Sequence, residues 1–249
     1  MNKDNNNTYF GKVRTSKTLK NKLVNEIFSN VSNKYDIMND LMSGGIHRIW
    51  KDVFVMHMDN PNAKLLDVAG GTCDIAKRFY EFGKLNDGSF DITVCDLNYN
   101  MLSEGVDKLA NQGINGIKYV NAKAEMLPFR SEIFDYYSVA FGIRNFGDIN
   151  SSIKEAKRVL KKGGKFICLE FSKPKNIFLQ KAYNMYSHLL IPNLGTLAGD
   201  RKSYQYLVDS IEKFPNQENF ANMIVKAGFK NVSYRNLSGG IVAIHIAYK

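Results

Sequence analysis

Leu65-Leu66-Asp67-Val68-Ala69-Gly70-Gly71-Thr72-Cys73-Asp74 is the stretch that decides the fold. Residues 64–69 are a short apolar run of buried-strand type, and residues 74–82 carry the apolar spacing of a helix. Between them stand two glycines, which let a backbone approach a ligand closely. The helix that follows opens with unpaired N–H groups. In an open parallel sheet, ligands bind beyond the carboxyl ends of the strands, where the strand order switches. The plainer reading of Gly70-Gly71 is a tight turn with no ligand.

The same alternation continues outward. Strands are expected over 90–96, 117–121, 134–141 and 165–171, with helices over 100–112 and 149–160. Short apolar runs alternating with amphipathic stretches mark βαβ units and a parallel sheet. Gly163-Gly164 is expected to end the helix before it. Upstream, residues 9–58 read as mostly helical, with Leu23, Ile27, Val31 and Tyr35 as one apolar stripe. Downstream, residues 172–215 form an apolar, aromatic helical insertion. Two last strands, 229–236 and 241–248, meet at a turn over 237–240. The expected organisation is a disordered terminus over 1–8 and one α/β domain over 9–249, with a helical cap (9–60) and a lid insertion (172–215).

Composition narrows the function. The chain has 249 residues, 34 basic and 24 acidic, so its formal charge is +10. No apolar run reaches the roughly 18–20 residues that span a bilayer, and no signal peptide is visible. Cys73, Cys95 and Cys168 are too widely spaced for a CxxC metal site or a disulfide framework. The positive charge admits nucleic acid, an anionic membrane or an anionic ligand.

The chemistry follows from the strand tips. Asp96 ends the second strand, where it can accept hydrogen bonds from ribose hydroxyls. There is neither a GxGxxG nor a GxxxxGK[ST] pattern, which weakens dinucleotide and P-loop readings. Asp67 would repel a pyrophosphate but suits an ammonium or a sulfonium. S-adenosylmethionine carries both. Residues 122–129, which include Lys123 and Ala124, offer a small–polar–apolar run for an adenine. The fourth strand ends in Phe141-Gly142-Ile143-Arg144-Asn145, where Arg144 is either a cation at the pocket mouth or a partner in a surface ion pair. His47 and His188 have no second ligand at metal-binding spacing, so no metal site is expected.

Several blocks resemble the ubiquinone/menaquinone biosynthesis C-methyltransferase family. They are Lys34-Tyr35-Asp36-Ile37-Met38-Asn39-Asp40-Leu41-Met42-Ser43, Gly45-Ile46-His47-Arg48-Ile49-Trp50-Lys51, the glycine loop, Phe141 to Asn145, Leu169-Glu170-Phe171-Ser172-Lys173-Pro174, and Tyr204-Gln205-Tyr206-Leu207 with Ser210-Ile211. The resemblance implies the class I S-adenosylmethionine-dependent methyltransferase fold, a seven-stranded sheet whose last strand is antiparallel. It implies two quinol substrates, demethylmenaquinol and 2-methoxy-6-polyprenyl-1,4-benzoquinol. It makes Thr72 and Asp96 cofactor contacts and puts Lys123 and Ala124 where the adenine is held; Asp67, Gly70 and Gly71 are cofactor positions by the strand-tip reading above, and Ala140 stands near the cofactor. Three of this chain's residues depart from the family pattern: Cys73 replaces a glycine, Lys123 an asparagine and Ala140 a serine.

For catalysis, Arg144 is expected to stabilise a developing phenolate. Asn145 and Tyr35 would bond the ring oxygens, and Asp36 would orient that group or take its proton through water. Spacing alone favours Tyr35 as the end of the core stripe, and the resemblance reverses that preference. The aromatic insertion is read either as core or dimer packing or as a polyprenyl tunnel or membrane contact. The expected partners are the quinol, an anionic membrane surface, and a second copy or a quinone-biosynthesis complex, with no nucleic acid. The expected location is the cytoplasm, peripheral to the inner membrane. An RNA methyltransferase and a non-catalytic scaffold are the competing readings.

Overall fold

The computed structural model describes residues 7–31, 40, 43–187 and 201–249. Seven strands form the central sheet: β3 (Lys64–Val68), β4 (Asp91–Asp96), β5 (Lys118–Asn121), β6 (Phe134–Ala140), β7 (Leu160–Phe171), β8 (Lys230–Leu237) and β9 (Val242–Tyr248). Their order is β5-β4-β3-β6-β7-β9-β8. β9 is antiparallel to both of its neighbours, so the expected class I fold is present. The order switches between β3 and β6, which places the ligand end at the tips of β3, β4 and β6.

Period-two alternation divides the sheet's side chains between two cores. Leu65, Ile167 and Leu169 face one core; Leu66, Phe166 and Cys168 face the other. Residues buried on both faces explain why the strands read as continuous apolar runs rather than as alternating ones. The first core is closed by α2 (His47–Val55), α3 (Asp74–Leu85) and α7 (Arg201–Lys213), through Trp50, Phe54, Phe79 and Leu207. The second is closed by α5 (Ile149–Val159) and α8 (Gln217–Lys226), through Ile153, Phe220 and Ile224. The other α-helices among the described residues are α1 (Lys17–Val31), α4 (Tyr99–Ala110) and α6 (Ile177–Met185).

Two expectations need correction. The N-terminal segment starts with a hairpin, β1 (Asn7–Phe10) and β2 (Val13–Ser16), before its first helix. Gly11 takes a φ of 55° in the two-residue connection, a conformation glycine adopts without steric cost. Second, α5 ends at Val159. Gly163, with a φ of 77°, lies in the irregular start of β7, where its N–H donates to the Lys249 carbonyl.

Candidate active site

The strand tips of β3, β4 and β6 surround an open cleft of about 1000 Å³, counted to its mouth. That is at the upper end of the roughly 300–1,000 Å³ usual for small-molecule sites. Helix α1 roofs it with Asn21, Val24, Asn25 and Phe28, a stripe with helical spacing. This stripe lies one position round the helix from the expected Leu23–Ile27 line. The roof is fastened at two places. Asn98, which caps α4 by accepting from the Met101 N–H, donates from Nδ2 to the Asn25 carbonyl and to Ser29 Oγ, each at 2.9 Å. Lys20 Nζ donates to the carbonyls of Phe146 (2.7 Å) and Arg144 (3.2 Å). Burial draws the Lys20 ammonium down to about 8.

Close packing gives the glycine loop its shape. A side chain on Gly105 of α4 would collide with Cys73 Sγ and stand 2.8 Å from the Gly71 carbonyl oxygen, so α4 rests directly on the loop. Ala69, Cys73 and Phe141 all adopt positive φ, at 54°, 65° and 56°. Each costs on the order of 1–3 kcal/mol that the surrounding packing must offset, and such strain concentrates at binding sites. Cys73 stands where a glycine would adopt that φ freely. Burial pushes its thiol up to about 12, which makes it an inert filler.

Asp67 and Asp96 are the electrostatic centre of the cleft. Asp67 is 1% exposed. Its Oδ1 accepts from the Ser138 hydroxyl at 2.6 Å, and its Oδ2 has no partner. Burial raises its carboxyl to about 7. Asp96 Oδ2 accepts from the Gly71 N–H at 2.9 Å and Oδ1 from the Asn98 N–H at 2.8 Å, and burial raises it to about 6. A buried carboxylate oxygen without a partner suits a cation, and the ammonium of S-adenosylmethionine meets that need.

This has a measurable consequence. A bound cation favours ionised Asp67, so cofactor affinity is expected to rise with pH and level off above about 7. Without ligand the sign reverses: Asp67 contributes stability at low pH that is lost as pH rises from 3.8 through about 7. Titration calorimetry with S-adenosylhomocysteine, pH by pH, checks both Asp67→Asn and the parent protein. The variant should lose the slope between about pH 6 and 7; an unchanged slope would clear Asp67 of this role.

The cofactor positions assigned from sequence are mostly brought together. Asp67, Gly70, Gly71, Thr72, Asp96, Ala124 and Ala140 line the cleft. Lys123 is exposed and does not, so only Ala124 of that pair faces the cleft. Among the catalytic assignments, Asn145 lines the cleft and its Oδ1 accepts from the Tyr206 hydroxyl at 2.9 Å. Arg144 does not line it. Its guanidinium is buried, with Nη1 bonded to Glu170 Oε1 at 2.7 Å and to the Phe141 carbonyl at 2.6 Å. The ion-pair reading of Arg144 is therefore the observed one, but inside the fold rather than on its surface. Tyr35, Asp36 and His188 lie outside the described residues. His47 Nε2 pairs with Asp40 Oδ1 at 2.8 Å. Among the described residues no three His, Cys, Asp or Glu gather as a metal site.

Sequence reasoning assigned no role to Lys20, Lys51, Glu170 or Tyr206. Lys51, Glu170 and Tyr206 stand inside the blocks that carry the resemblance, which was the available signal. Lys20 had none, because its partners are carbonyls about 125 residues away.

The match to the ubiE/COQ5 methyltransferase family runs over residues 16–249. The chain belongs to that family. It is 49% identical over 246 residues to the ubiquinone/menaquinone biosynthesis C-methyltransferase of Rickettsia bellii, covering 98% of this chain and 99% of that protein. It is equally close to the Rickettsia prowazekii enzyme of the same name, over 245 residues. Solved structures similar in fold include a SAM-dependent methyltransferase from Thermotoga maritima. Its TM-score is 0.62 at 18% identity, covering 91% of this chain and 99% of that one. A SAM-dependent methyltransferase from Aquifex aeolicus has a TM-score of 0.60 at 13% identity, covering 88% and 97%. Like the family, this chain is an enzyme that uses S-adenosylmethionine as its methyl donor.

Proposed function

We propose that this enzyme methylates a ring carbon of a polyprenylated quinol, either demethylmenaquinol, 2-methoxy-6-polyprenyl-1,4-benzoquinol or both. The observation that carries the reading is 49% identity, over essentially the whole chain, to relatives named for that reaction. The bound cofactor supplies an electrophilic methyl on a positively charged sulfur. The ring carbon becomes nucleophilic as a neighbouring hydroxyl loses its proton, so the protein must stabilise the developing phenolate and hold the reactants in line.

Asn145 is the best-placed residue for the phenolate. With its Oδ1 held by Tyr206, its Nδ2 amino group is left to donate to a ring oxygen. Arg144 acts through it, since its bonds to Glu170 and the Phe141 carbonyl hold the turn that presents Asn145. An RNA substrate fits poorly. The described cleft wall carries four carboxylates (Asp67, Asp74, Asp96, Glu125) against a single lysine, and it would repel phosphates. Profiling quinones in cells that lack the protein tests the reading: a demethylated quinol should accumulate, and an unaltered quinone pool would contradict it.

Helix α6 supports a membrane as the place where substrate is collected. No described helix is long and apolar enough to cross one. Ile177, Phe178 and Met185 are exposed on α6, and Lys173, Lys175 and Lys181 accompany them without an acidic residue between 172 and 187. Leu179 on the inner side of α6 abuts Gly239 in the β8–β9 turn. Because β9 starts opposite the last residue of β7, that turn lies at the cleft end of the sheet. Docking through α6 would thus turn the cleft end toward an anionic bilayer, at about 1 kcal/mol per basic residue near the surface. An Ile177→Ser, Phe178→Ser double variant should lose most sedimentation with phosphatidylglycerol vesicles while retaining transfer to a short-chain quinol. Undiminished sedimentation would exclude α6.

A further inference from the structure

Lys51 is the one basic residue on the described wall of the cleft. It comes from α2, which packs against the sheet through Trp50. The Trp50 indole N–H donates to Ser238 Oγ at 2.9 Å, and its ring meets Phe171 edge-on with centroids 6.1 Å apart. The lysine is 5% exposed, and its Nζ donates to Asp74 Oδ2 at 2.7 Å. Asp74 is the first residue of α3, directly after the glycine loop, and its other oxygen takes the Arg78 Nε–H at 3.2 Å.

An ammonium buried beside a cleft is costly unless it is paired. Asp74 supplies a single oxygen at hydrogen-bond distance, whereas an ammonium has three donors. The ligand side supplies the other half. The amino-acid end of S-adenosylmethionine is a zwitterion, and the partnerless Asp67 Oδ2 accounts only for its ammonium. Its carboxylate would otherwise face Asp67, Asp74, Asp96 and Glu125, all acidic. Asp74, which Lys51 holds, directly follows the glycine loop that leaves Asp67, so the two opposite charges flank that loop on the cleft wall.

We infer that Lys51 anchors the carboxylate of the cofactor's amino-acid moiety, bridging it to Asp74. The inference concerns the donor site alone and stands whether or not the acceptor is a quinol.

Binding isotherms with two probes test it. S-adenosylhomocysteine has the amino-acid end, and 5′-methylthioadenosine lacks it. Lys51→Met is expected to weaken S-adenosylhomocysteine about 10- to 100-fold, the scale of one charge-assisted hydrogen bond, and to leave methylthioadenosine within about twofold. Lys51→Arg should recover part of the loss. Asp74→Asn separates anchoring from a structural ion pair, because it breaks the same pair and leaves the lysine in place. Retained or tightened S-adenosylhomocysteine binding in Asp74→Asn supports the anchor. Equal loss of both probes in Lys51→Met, no loss of either, or an Asp74→Asn variant that behaves like Lys51→Met would overturn it.

Discussion

Replacing Glu170 with alanine is expected to destabilise the fold by about 3–5 kcal/mol, because it strands the Arg144 guanidinium in the interior. Both members of the pair are buried, at 1% and 6% exposure. Burial pushes the Glu170 carboxyl up, while Arg144 and the N–H groups of Phe171 and Arg144 hold it down. Once the acid is gone, the Arg144 guanidinium keeps the Phe141 carbonyl, a long contact to Ser210 Oγ at 3.4 Å and the face of the Phe171 ring 5.5 Å away, but no counter-charge. For a domain of this size the loss corresponds to a fall in Tm of about 6–20 °C, readable by calorimetry. The joint replacement Arg144→Met with Glu170→Leu removes both charges, and it is expected to recover much of that stability. Its turnover should remain low, because the turn that carries Asn145 has lost its anchor. Recovery of both stability and turnover would show that the pair has no part in positioning Asn145.

The second large effect is on rate. Asn145→Ala is expected to lower turnover about 100- to 1,000-fold, the range seen when one donor to a developing oxyanion is removed. Thermal stability should change far less than in the Glu170 variant, since Asn145 stands on the cleft wall. Tyr206→Phe is the positioning counterpart. It removes the hydroxyl that holds Asn145 Oδ1 and keeps the ring, which stacks on Phe10 with centroids 4.5 Å apart. A smaller loss of turnover with unchanged cofactor affinity is expected for it. Single-turnover rates distinguish these effects from product release, and full turnover in Asn145→Ala would remove the residue from the mechanism.

Local residue patterns made the sheet legible. The βα rhythm from Lys64 onward carries its own signals, in apolar strands, amphipathic helices and the glycine pair. Five strands and three helices there fall within a few residues of their expected bounds, except β7, which begins five residues early. The hairpin at Asn7–Ser16 was harder, because two four-residue strands leave little period-two pattern for the eye. Its signal was the Gly11-Lys12 turn between β-forming residues. Gly163 misled for a related reason: a glycine after basic residues looks like a helix end, and only the pairing of β7 with the chain terminus shows otherwise. At the site, residues that line the cleft from within their own motif were readable, among them Asp67, Gly71 and Asp96. The buried partner of Arg144 was not, since Glu170 is on β7 and no spacing relates it to the turn after β6. Lys51 escaped for the same reason, being brought to the cleft by the packing of α2 against the sheet.

The positive charge also reads differently with the cleft in view. Among the described residues the cleft wall is acidic and has one lysine, so the formal +10 is not concentrated there. Three of the lysines accompany the exposed apolar face of α6 instead.

The central claim is methyl transfer from S-adenosylmethionine to a quinol ring carbon. Its most direct test is incubation of the purified protein with methyl-labelled S-adenosylmethionine and a reduced short-chain demethylmenaquinol or demethylated benzoquinol. The account predicts label in a new carbon-bound methyl of the quinol, in proportion to enzyme and largely lost in Asn145→Ala. Cofactor binding without label in either quinol would contradict it.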